Sequence, residues 1–386
     1  KQLEEVVVVG YGTQKKANLT GAVATVDVNK TLDSRPIADI GRGLQGAVAG
    51  VNITIPTGEV GSDPLIKIRG QVGSISGNNT PLILLDNVEI PSIQMVNPND
   101  VQSISVLKDA ASSSIYGSKA AFGVILITTK SGAQSDKFEV SYSNNFSWQD
   151  PAKKIEIGGI EALQYTLDAQ TNRREPMPAG GFWRISPESL EKAIEWQNLY
   201  GGKVKWNDPV VYGRDWFYDG KDKYGYRLYD GAKAMIKNWT PTMTHNLSVN
   251  GKSGKTSYNI GLGYLDQSGM SKTAKKDDFK RYNASVSVTS EINKYITVRA
   301  SSIYSDRNKR YPGIGNTTAD PWLYLYRWSP LMPMGVTENG NPLKEPTYEM
   351  AAANTDNLQN KYYNINLGFT LNLTKNWDVK FDYTYD

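Results

Sequence analysis

Two successive patterns of apolar and polar residues divide this chain. Up to residue 132, short apolar runs predict strands, among them GAVATVDV, VNITI, LILLD, VQSISVLK and FGVILITTK. The segments ADIGRGLQGAVAG and DAASSSIYG between them are compatible with helices. Asp109 is placed to cap the start of the second helix, and Gly117 can end it in the left-handed conformation. The first pattern predicts a compact mixed α/β domain over residues 17–132.

From residue 137 the pattern changes to strict alternation of apolar and polar residues, which is the period of a strand with one apolar face. In FEVSYSNNFSW, which begins at Phe138, the aromatic and aliphatic side chains share one face and the Glu, Ser and Asn side chains share the other. The same division recurs six times, at residues 243–249, 258–264, 282–288, 296–304, 363–373 and 377–385. This region predicts an antiparallel β-sheet.

Three features of these strands favour a membrane barrel. The polar face carries mostly small, neutral or amide side chains, and Tyr or Trp lies near the strand ends of the apolar face. The tight connections GKSGKT, EINK and TKN alternate with long ones at residues 149–242, 266–281 and 305–362. Outer-membrane barrels have this layout of short turns and long loops. A soluble β-sandwich also alternates, so a β-rich surface binding protein without transport stays open as an alternative.

Composition excludes several classes of function. The 386 residues include 23 Tyr, 9 Trp and 35 Gly but one His and no Cys, and the net charge is +4. No basic block resembles a nucleic-acid-binding surface, and the lack of Cys excludes a disulfide scaffold or a Cys-bound metal. No apolar run approaches the roughly 18 residues that a membrane helix needs. A nucleic-acid-binding protein and a helical membrane protein are therefore excluded.

Motifs for catalysis or cofactor binding are weak. GRGLQG at residues 41–46 matches G-x-G-x-x-G, but no strand precedes it, as a dinucleotide-binding turn requires. GKT at residues 254–256 resembles the end of a phosphate-binding loop, but the first glycine of that motif would have to be residue 249, which is Val. His245 lies on the apolar face of its segment without a catalytic partner nearby in sequence. We expect no enzyme activity, cofactor or metal site.

Two aromatic clusters can contact a ligand, because flat aromatic faces stack on sugar rings or anchor a partner protein. One cluster alternates within a predicted loop and contains Trp322, Tyr324, Tyr326 and Trp328. The other lies in an earlier long loop and contains Trp206, Trp216, Tyr218, Tyr224, Tyr226 and Tyr229. Packing of each loop on itself is the alternative explanation for both clusters.

Four segments of the first third carry a family resemblance: LEEVVVVGYGTQKKANLTGAVATV at 3–26, LQGAVAGVNI at 44–53, IRG at 68–70 and PLILLDNVEIPSIQMVNPNDVQSISVLKDAASSSIYGSKAAFGVILITTKSG at 81–132. They resemble the plug of the SusC/RagA family of TonB-dependent outer-membrane transporters of Bacteroidota. The match is looser beyond them, where HNLSVNGKSGKTSYNIGLGYLDQSGM is the best stretch. The chain departs from the family at Asp86-Asn87, where the family has Asp-Gly, and at SKAAFG, where it has Ser-Arg-Gly-Ala-Asn-Gly.

The resemblance implies how an importer of this family is energised. EEVVVVGYG matches the TonB box, which leaves the barrel on the periplasmic side and adds as a strand to TonB, itself driven by ExbB/ExbD. The matching residues are Glu4, Glu5, Val6, Val7, Val8, Val9, Gly10, Tyr11 and Gly12. The four consecutive valines, Val6 to Val9, predict an edge strand without a partner in this chain. Residues 1–16 are thus expected to be TonB box and tether.

The resemblance also implies a location in the bacterial outer membrane, in contact with its lipid, and a SusD-like surface lipoprotein as partner. It implies an oligosaccharide as substrate, with a peptide as the alternative. The plug loops at residues 57–63 and 72–79 are rich in Gly, Ser and Asn, which can hydrogen-bond a polyol or a peptide backbone. The expected substrate-binding residues are Thr57, Glu59, Ser62, Asp63, Ser74, Ser76, Asn78, Asn79, Trp322 and Trp328.

The strand count predicts an incomplete barrel. Plugged outer-membrane transporters close with about 22 strands, and each strand needs about 9 to 11 residues. Seven alternating segments cannot enclose a plug. The expected fold is therefore a β-rich membrane protein, with a small α/β plug followed at residues 137–386 by the first part of an antiparallel transmembrane β-barrel with long extracellular loops. The chain is expected to be the amino-terminal portion of a longer transporter.

Overall fold

The computed structural model describes residues 6–9, 12–15, 23–26, 28, 40–55, 59–70, 80–130, 132, 136, 138–151, 154–180, 183–313, 329–374 and 377–386. They form an amino-terminal hairpin, a small α/β unit, a seven-stranded sheet and a folded insert. Within these ranges, no helix has the length and apolar character needed to cross a membrane.

The first two strands pair with each other. β1 (Val6–Val9) and β2 (Gly12–Lys15) are antiparallel, with Val6 opposite Lys15 and Val9 opposite Gly12. Valine favours strands, and in the sequence only residues 10 and 11 separate β1 from β2, a spacing typical of a hairpin. The valine strand that was expected to lack a partner is therefore paired along one edge within this chain.

The α/β unit is built on a mixed sheet. Its elements are β3 (Val23–Val26), α1 (Ile40–Leu44), β4 (Val51–Thr54), β5 (Leu65–Ile68), β6 (Leu82–Leu85), β7 (Val88–Glu89), β8 (Val101–Leu107), α2 (Ala110–Ser113) and β9 (Val124–Thr129). The five-stranded sheet has the order β3-β8-β9-β6-β7, in which β6 and β9 are parallel, and β4 pairs with β5 separately. All five strands predicted from apolar runs are present.

The helices of this unit are shorter than predicted. α1 is followed by Gly46 and Gly50, both with positive φ, which a helix cannot continue through. Asp109 caps α2 as expected, because the Ser112 N–H donates to Asp109 Oδ1 at 2.7 Å. Gly117 has a positive φ of 66° but a ψ of −154°, so it does not have the left-handed helical conformation that was predicted, and 3-10 turns continue on both sides of it.

Asp86 and Asn87 connect β6 to β7 in the left-handed region, with φ of 48° and 70°. Asn and Asp tolerate this conformation better than other residues with a side chain, so the departure from Asp-Gly keeps the tight turn. The Asp86 carboxylate accepts hydrogen bonds from Thr129 N–H at 2.9 Å and Thr129 Oγ1 at 2.6 Å. Burial raises the pKa of Asp86, although both hydrogen bonds oppose the change.

The core of the unit lies between its sheet and α1. Ile40, Leu44, Ile104 and Ile125 are fully buried there. Full burial of each such side chain stabilises the fold by about 1.5–3 kcal/mol. The alternation in VQSISVLK and the unbroken apolar run in FGVILITTK supply this core.

The rest of the chain forms one large sheet and one insert. The elements are β10 (Glu139–Gln149), α3 (Ile160–Asn172), β11 (Ala179–Gly180), β12 (Trp183–Ile185), α4 (Pro187–Tyr200), β13 (Trp216–Tyr218), β14 (Lys223–Gly225), α5 (Gly231–Met235), β15 (Thr240–Ser253), β16 (Thr256–Ser268), β17 (Asp278–Glu291), β18 (Ile296–Pro312), α6 (Pro346–Ala352), β19 (Thr355–Thr374) and β20 (Trp377–Tyr385).

The large sheet, called the wall below, contains all seven predicted alternating segments. Its order is β10-β15-β16-β17-β18-β19-β20, antiparallel throughout, and β10 and β20 are its two edges. One face is apolar and exposed; it carries Ile260, Leu262, Val286, Leu367 and Phe381. GKT at residues 254–256 lies at the turn between β15 and β16, as the tight connection GKSGKT predicts, and Gly254 there has a positive φ of 59°.

Aromatic side chains cross the outer face of the wall in a row. His245, Tyr264 and Tyr282 are cross-strand neighbours, with ring centroids 6.3 Å and 5.0 Å apart. Directly beyond this row Asp266 and Lys280 form an ion pair at 3.1 Å, and Tyr264 donates to Asp266 at 3.0 Å. The change from aromatic to charged side chains within two residues is typical of the boundary between lipid and water.

Two wall connections are shorter than predicted, because the strands continue past their apolar parts. β16 reaches Ser268 and β17 begins at Asp278, and β18 pairs with β19 as far as Pro312 opposite Thr355. These polar ends still form regular ladders, since backbone pairing does not require apolar side chains. Arg310 and Asp278 pair across strands through two hydrogen bonds of 2.9 and 2.8 Å.

Residues 150–239, predicted to be a long loop, contain a folded insert. Its four-stranded sheet has the order β11-β12-β14-β13, packed with α3 and α4. Leu163, Leu167, Leu190 and Ala193 form its core together with Leu331 from the segment before α6. The connection predicted at residues 149–242 is long, as expected, and it is folded: the apolar positions of α3 and α4 recur at helical spacing between β-type segments.

Candidate functional site

The candidate site is the contact between the α/β unit and the inner face of the wall, called the seam below. On the α/β side it is made by residues 92–100, which form two 3-10 turns. Ser92 Oγ accepts from Gln94 N–H at 3.1 Å and Asn97 Oδ1 accepts from Asn99 N–H at 3.2 Å. These side-chain caps fix the two turns locally.

Alternate residues of β17 hold this segment. Arg281 Nη1 donates to the Gln94 carbonyl at 2.8 Å, and Asn283 Nδ2 donates to the Met95 carbonyl at 2.7 Å. Ser285 Oγ donates to Asp100 Oδ2 at 2.9 Å. Side chains two apart in a strand share a face, so the polar side chains of β17 form a row of hydrogen bonds along the seam.

Asp100 is the charged group at the centre of the seam. It is buried, and burial raises its pKa above the ordinary value, against the Ser285 hydrogen bond and the charges of Lys130 and Arg281. The positive charges of Lys130 and Arg281 therefore compensate only part of the desolvation of the carboxylate. A buried carboxylate of this kind depends on its hydrogen bonds staying in place.

Glycines of β16 let the two parts approach closely. A Cβ at Gly261 would lie 2.5 Å from Asp100 Oδ1, and a Cβ at Gly263 would lie 2.5 Å from Asn97 Nδ2. Both distances are shorter than real Cβ contacts, so a side chain at either position would displace Asp100 or Asn97. A cavity of about 20 Å³ beside Asn97 and Asn283 has room for a single water molecule. The seam is thus close-packed but polar.

We expect Gly263→Leu to push residues 92–100 away from the wall. Overpacking of this kind costs about 1–3 kcal/mol, so amide hydrogen exchange in residues 92–100 should become about tenfold faster. Ala284→Leu is the matched control, because Ala284 lies on the outer face and beside the exposed Leu262. Equal exchange rates in both variants would show that the glycine is not needed for close contact.

Three of the predicted substrate-binding residues are described, and they lie beside β18. Lys309 Nζ donates to Glu59 Oε2 at 2.6 Å, and Arg307 Nη1 is 3.6 Å from Asp63 Oδ1. The Ser62 carbonyl accepts from Gln94 Nε2 at 2.5 Å. Both carboxylates therefore have cationic partners on the wall. These ion pairs are compatible with a role in attaching the α/β unit to the wall as well as with a role in substrate binding. Their role in substrate binding stays a prediction.

The remaining predicted substrate-binding residues lie outside the described residues: Thr57, Ser74, Ser76, Asn78, Asn79, Trp322 and Trp328. In the TonB box, Glu4, Glu5, Gly10 and Tyr11 also lie outside them, whereas the backbones of Val6–Val9 and Gly12 are described. The aromatic cluster around Trp216 lies in the insert. No group of three or more potential metal-ligating His, Cys, Asp or Glu residues occurs in the part of the chain that the structure describes.

The seam itself was missed by the sequence analysis. Arg281 fell in the predicted connection 266–281. Asn283 and Ser285 were recognisable only as the polar side of a strand, and Gly261 and Gly263 only as small residues. Their alternation with apolar residues was the available signal. It indicated a face shielded from lipid but not which residues would meet it.

The sequence of this chain is similar to sequences of known proteins. The model of the TonB-dependent receptor plug domain matches residues 15–124, which include the α/β unit described above. The chain carries the plug domain of the TonB-dependent receptors. TonB-dependent receptor P26 of Formosa agariphila is 30% identical over 369 residues, which are 93% of this chain and 33% of that receptor. SusC of Bacteroides thetaiotaomicron is 28% identical over 74% of this chain and 24% of SusC.

Among solved structures, the RagAB peptide importer in its open-open state matches 97% of this receptor chain and 41% of its own chain, with a TM-score of 0.69 and 26% identity. The receptor chain thus spans between about a quarter and two fifths of the length of these three relatives. The expected resemblance to SusC and RagA, the plug followed by antiparallel strands, and the outer-membrane location are confirmed. This receptor family is not an enzyme family.

Proposed function

We propose that this receptor takes part in TonB-dependent active import across the bacterial outer membrane. The observation that carries the proposal is the seam: the plug is held to the inner face of the wall by hydrogen bonds and ion pairs, while the outer face of the wall is apolar. Water can replace polar contacts at a small net cost of about 0.5–1.5 kcal/mol each. A plug held in this way can be displaced by force.

The force is proposed to enter at residues 4–12 as the TonB box, with residues 1–16 as box and tether. Among the described residues, β1 pairs with no strand other than β2, and its second edge is the proposed place for the addition of a strand from TonB. TonB would in turn be driven by ExbB/ExbD. The plug, at residues 17–132, and the strands of the barrel, at residues 137–386, are the two parts between which the force acts.

A SusD-like lipoprotein is the proposed outer partner, on the strength of the similarity to SusC and to the RagAB importer. The insert and the segment before α6 are the proposed contact region. The bridge between Val210 and Thr337 joins them, so they can present one surface.

We propose an oligosaccharide as the substrate class. The similarity to SusC and the hydrogen-bonding groups of the plug loops support this choice. The similarity to the RagAB peptide importer makes a peptide the second candidate.

Uptake and growth separate the two substrate classes. A strain without this receptor should lose growth on at least one oligosaccharide when oligosaccharides and peptides are supplied singly as the limiting nutrient. Growth should return with the wild-type gene but not with a gene lacking residues 4–12. Loss of growth on peptides alone would replace the glycan assignment, and no loss on any nutrient would favour a surface binding protein without transport.

A further inference from the structure

A pocket of about 410 Å³ lies in the insert, away from the seam. Lys192, Trp196 and Tyr200 line it from one face of α4, since residues four apart in a helix share a face. Phe217 of β13 and Tyr226, just after β14, form the opposite side. The volume falls in the range of small-molecule binding sites.

Aromatic rings are the main feature of this pocket. Trp196 and Tyr226 are buried behind it, but Phe217 is 38% exposed. A phenylalanine ring in a pocket that is open to water is available to a ligand with an apolar face. Of the pocket rings, only Tyr226 belonged to the aromatic cluster singled out from the sequence.

The Trp196 ring is held by a buried charged group. Asp215 Oδ1 accepts from Trp196 Nε1 at 2.8 Å, and Arg214 donates to both oxygens of this carboxylate at 2.9 and 2.7 Å. Burial alone would raise the pKa of Asp215, but the hydrogen bonds from Arg214, Val211 N–H and Trp196 lower it below the ordinary value. The pocket is therefore formed in advance of any ligand.

The two cations that line the pocket are paired with acidic side chains. Lys192 Nζ lies 5.9 Å from the Phe217 ring centre and pairs with Glu188 at 3.0 Å. Arg214 lies 5.8 Å from the Tyr200 ring centre and is paired with Asp215. Since each of these two cations has an acidic partner, they leave no surplus positive charge that would select an anion, and the Glu195 carboxylate in the lining adds a hydrogen-bond acceptor. The pocket offers donors and acceptors beside flat ring faces.

We propose that this pocket binds a neutral saccharide. A sugar ring has an apolar C–H face, which stacks on Phe217 or Tyr200, and hydroxyl groups that both donate and accept hydrogen bonds at its rim, where Lys192 and Glu195 lie. The site is separate from the plug, so saccharide binding here is independent of whether the receptor imports its ligand.

Calorimetric titration of the whole receptor chain tests this site. The detergent should be lauryldimethylamine oxide, because it has no sugar headgroup that would compete. The probes are maltopentaose, cellopentaose, xylopentaose, mannopentaose and laminaripentaose, with pentaalanine as the peptide of similar length. At least one pentasaccharide should bind, and Phe217→Ala should weaken its Kd about tenfold, the scale of one aromatic contact.

Tyr165→Ala is the matched control, because Tyr165 is an exposed ring on α3 outside the pocket; it should leave the Kd unchanged. Phe217→Tyr keeps an aromatic face and should restore most of the affinity, which separates stacking from a loss of folding. The proposal is overturned if none of the five saccharides binds, if Phe217→Ala binds as the wild type does, or if only pentaalanine depends on Phe217.

Discussion

A disulfide that links the plug to the wall is expected to abolish uptake. A Cβ at Gly261 would lie 3.0 Å from Asp100 Cγ, so the two Cβ atoms are at most about 4.5 Å apart, within the range of a disulfide. The variant combines Gly261→Cys with Asp100→Cys. Because the chain has no Cys of its own, no other disulfide can form within it.

Uptake should fall to the level of a strain without the receptor when this pair is oxidised, and should return when a reductant is added. Each single variant is a control for the loss of Asp100 or of the glycine. The extent of crosslinking is measured by mass spectrometry of a peptide digest. Continued uptake by fully crosslinked protein would mean that the plug does not have to leave β16 during import.

Proline in the valine strand is expected to have an effect of similar size. Val7→Pro or Val8→Pro removes a backbone N–H from β1 and restricts its backbone, so a strand of TonB could not add to it. Uptake should be lost, while the amount of receptor in the outer membrane stays the same. Val8→Leu, which keeps the N–H, should transport normally.

Gln14→Pro helps to locate the edge at which TonB adds. Gln14 pairs with Val7 in the hairpin, so this change disturbs β2 and leaves the valines intact. Uptake should persist if TonB adds to the open edge of β1. Normal uptake by both valine variants would contradict the assignment of the TonB box.

The wall could be predicted from the sequence because its signal is local. In β16, Tyr258, Ile260, Leu262 and Tyr264 alternate with Asn259, Gly261 and Gly263, and this period of two fixes both the strand and its faces. The polar ends of β16 to β19 have no such alternation of apolar and polar side chains. Their pairing is imposed by the neighbouring strand, so the predicted loops were too long.

The seam could not be predicted for a different reason. Ser285 and Asp100 are separated by 185 residues, and Asn283 and the Met95 carbonyl by 188. Each side chain is ordinary in its own segment, and its role arises only when the plug is placed against the wall. The insert shows the same limit. Trp196 and Phe217 line one pocket, and the buried Asp215 holds Trp196 by a hydrogen bond that no local pattern indicates.

The aromatic row on the outer face has a mechanical consequence. Tyr264 and Tyr282 are followed at once by the ion pair of Asp266 and Lys280. Moving this part of the wall into the hydrocarbon would bury charge, at a cost for a lysine that rises with depth from about 0–1 kcal/mol near the interface to about 2–4 kcal/mol at the midplane. The barrel thus resists being drawn through the bilayer. A force applied to the plug from the periplasm would therefore leave the wall in place, and it would act mainly on the polar contacts of the seam.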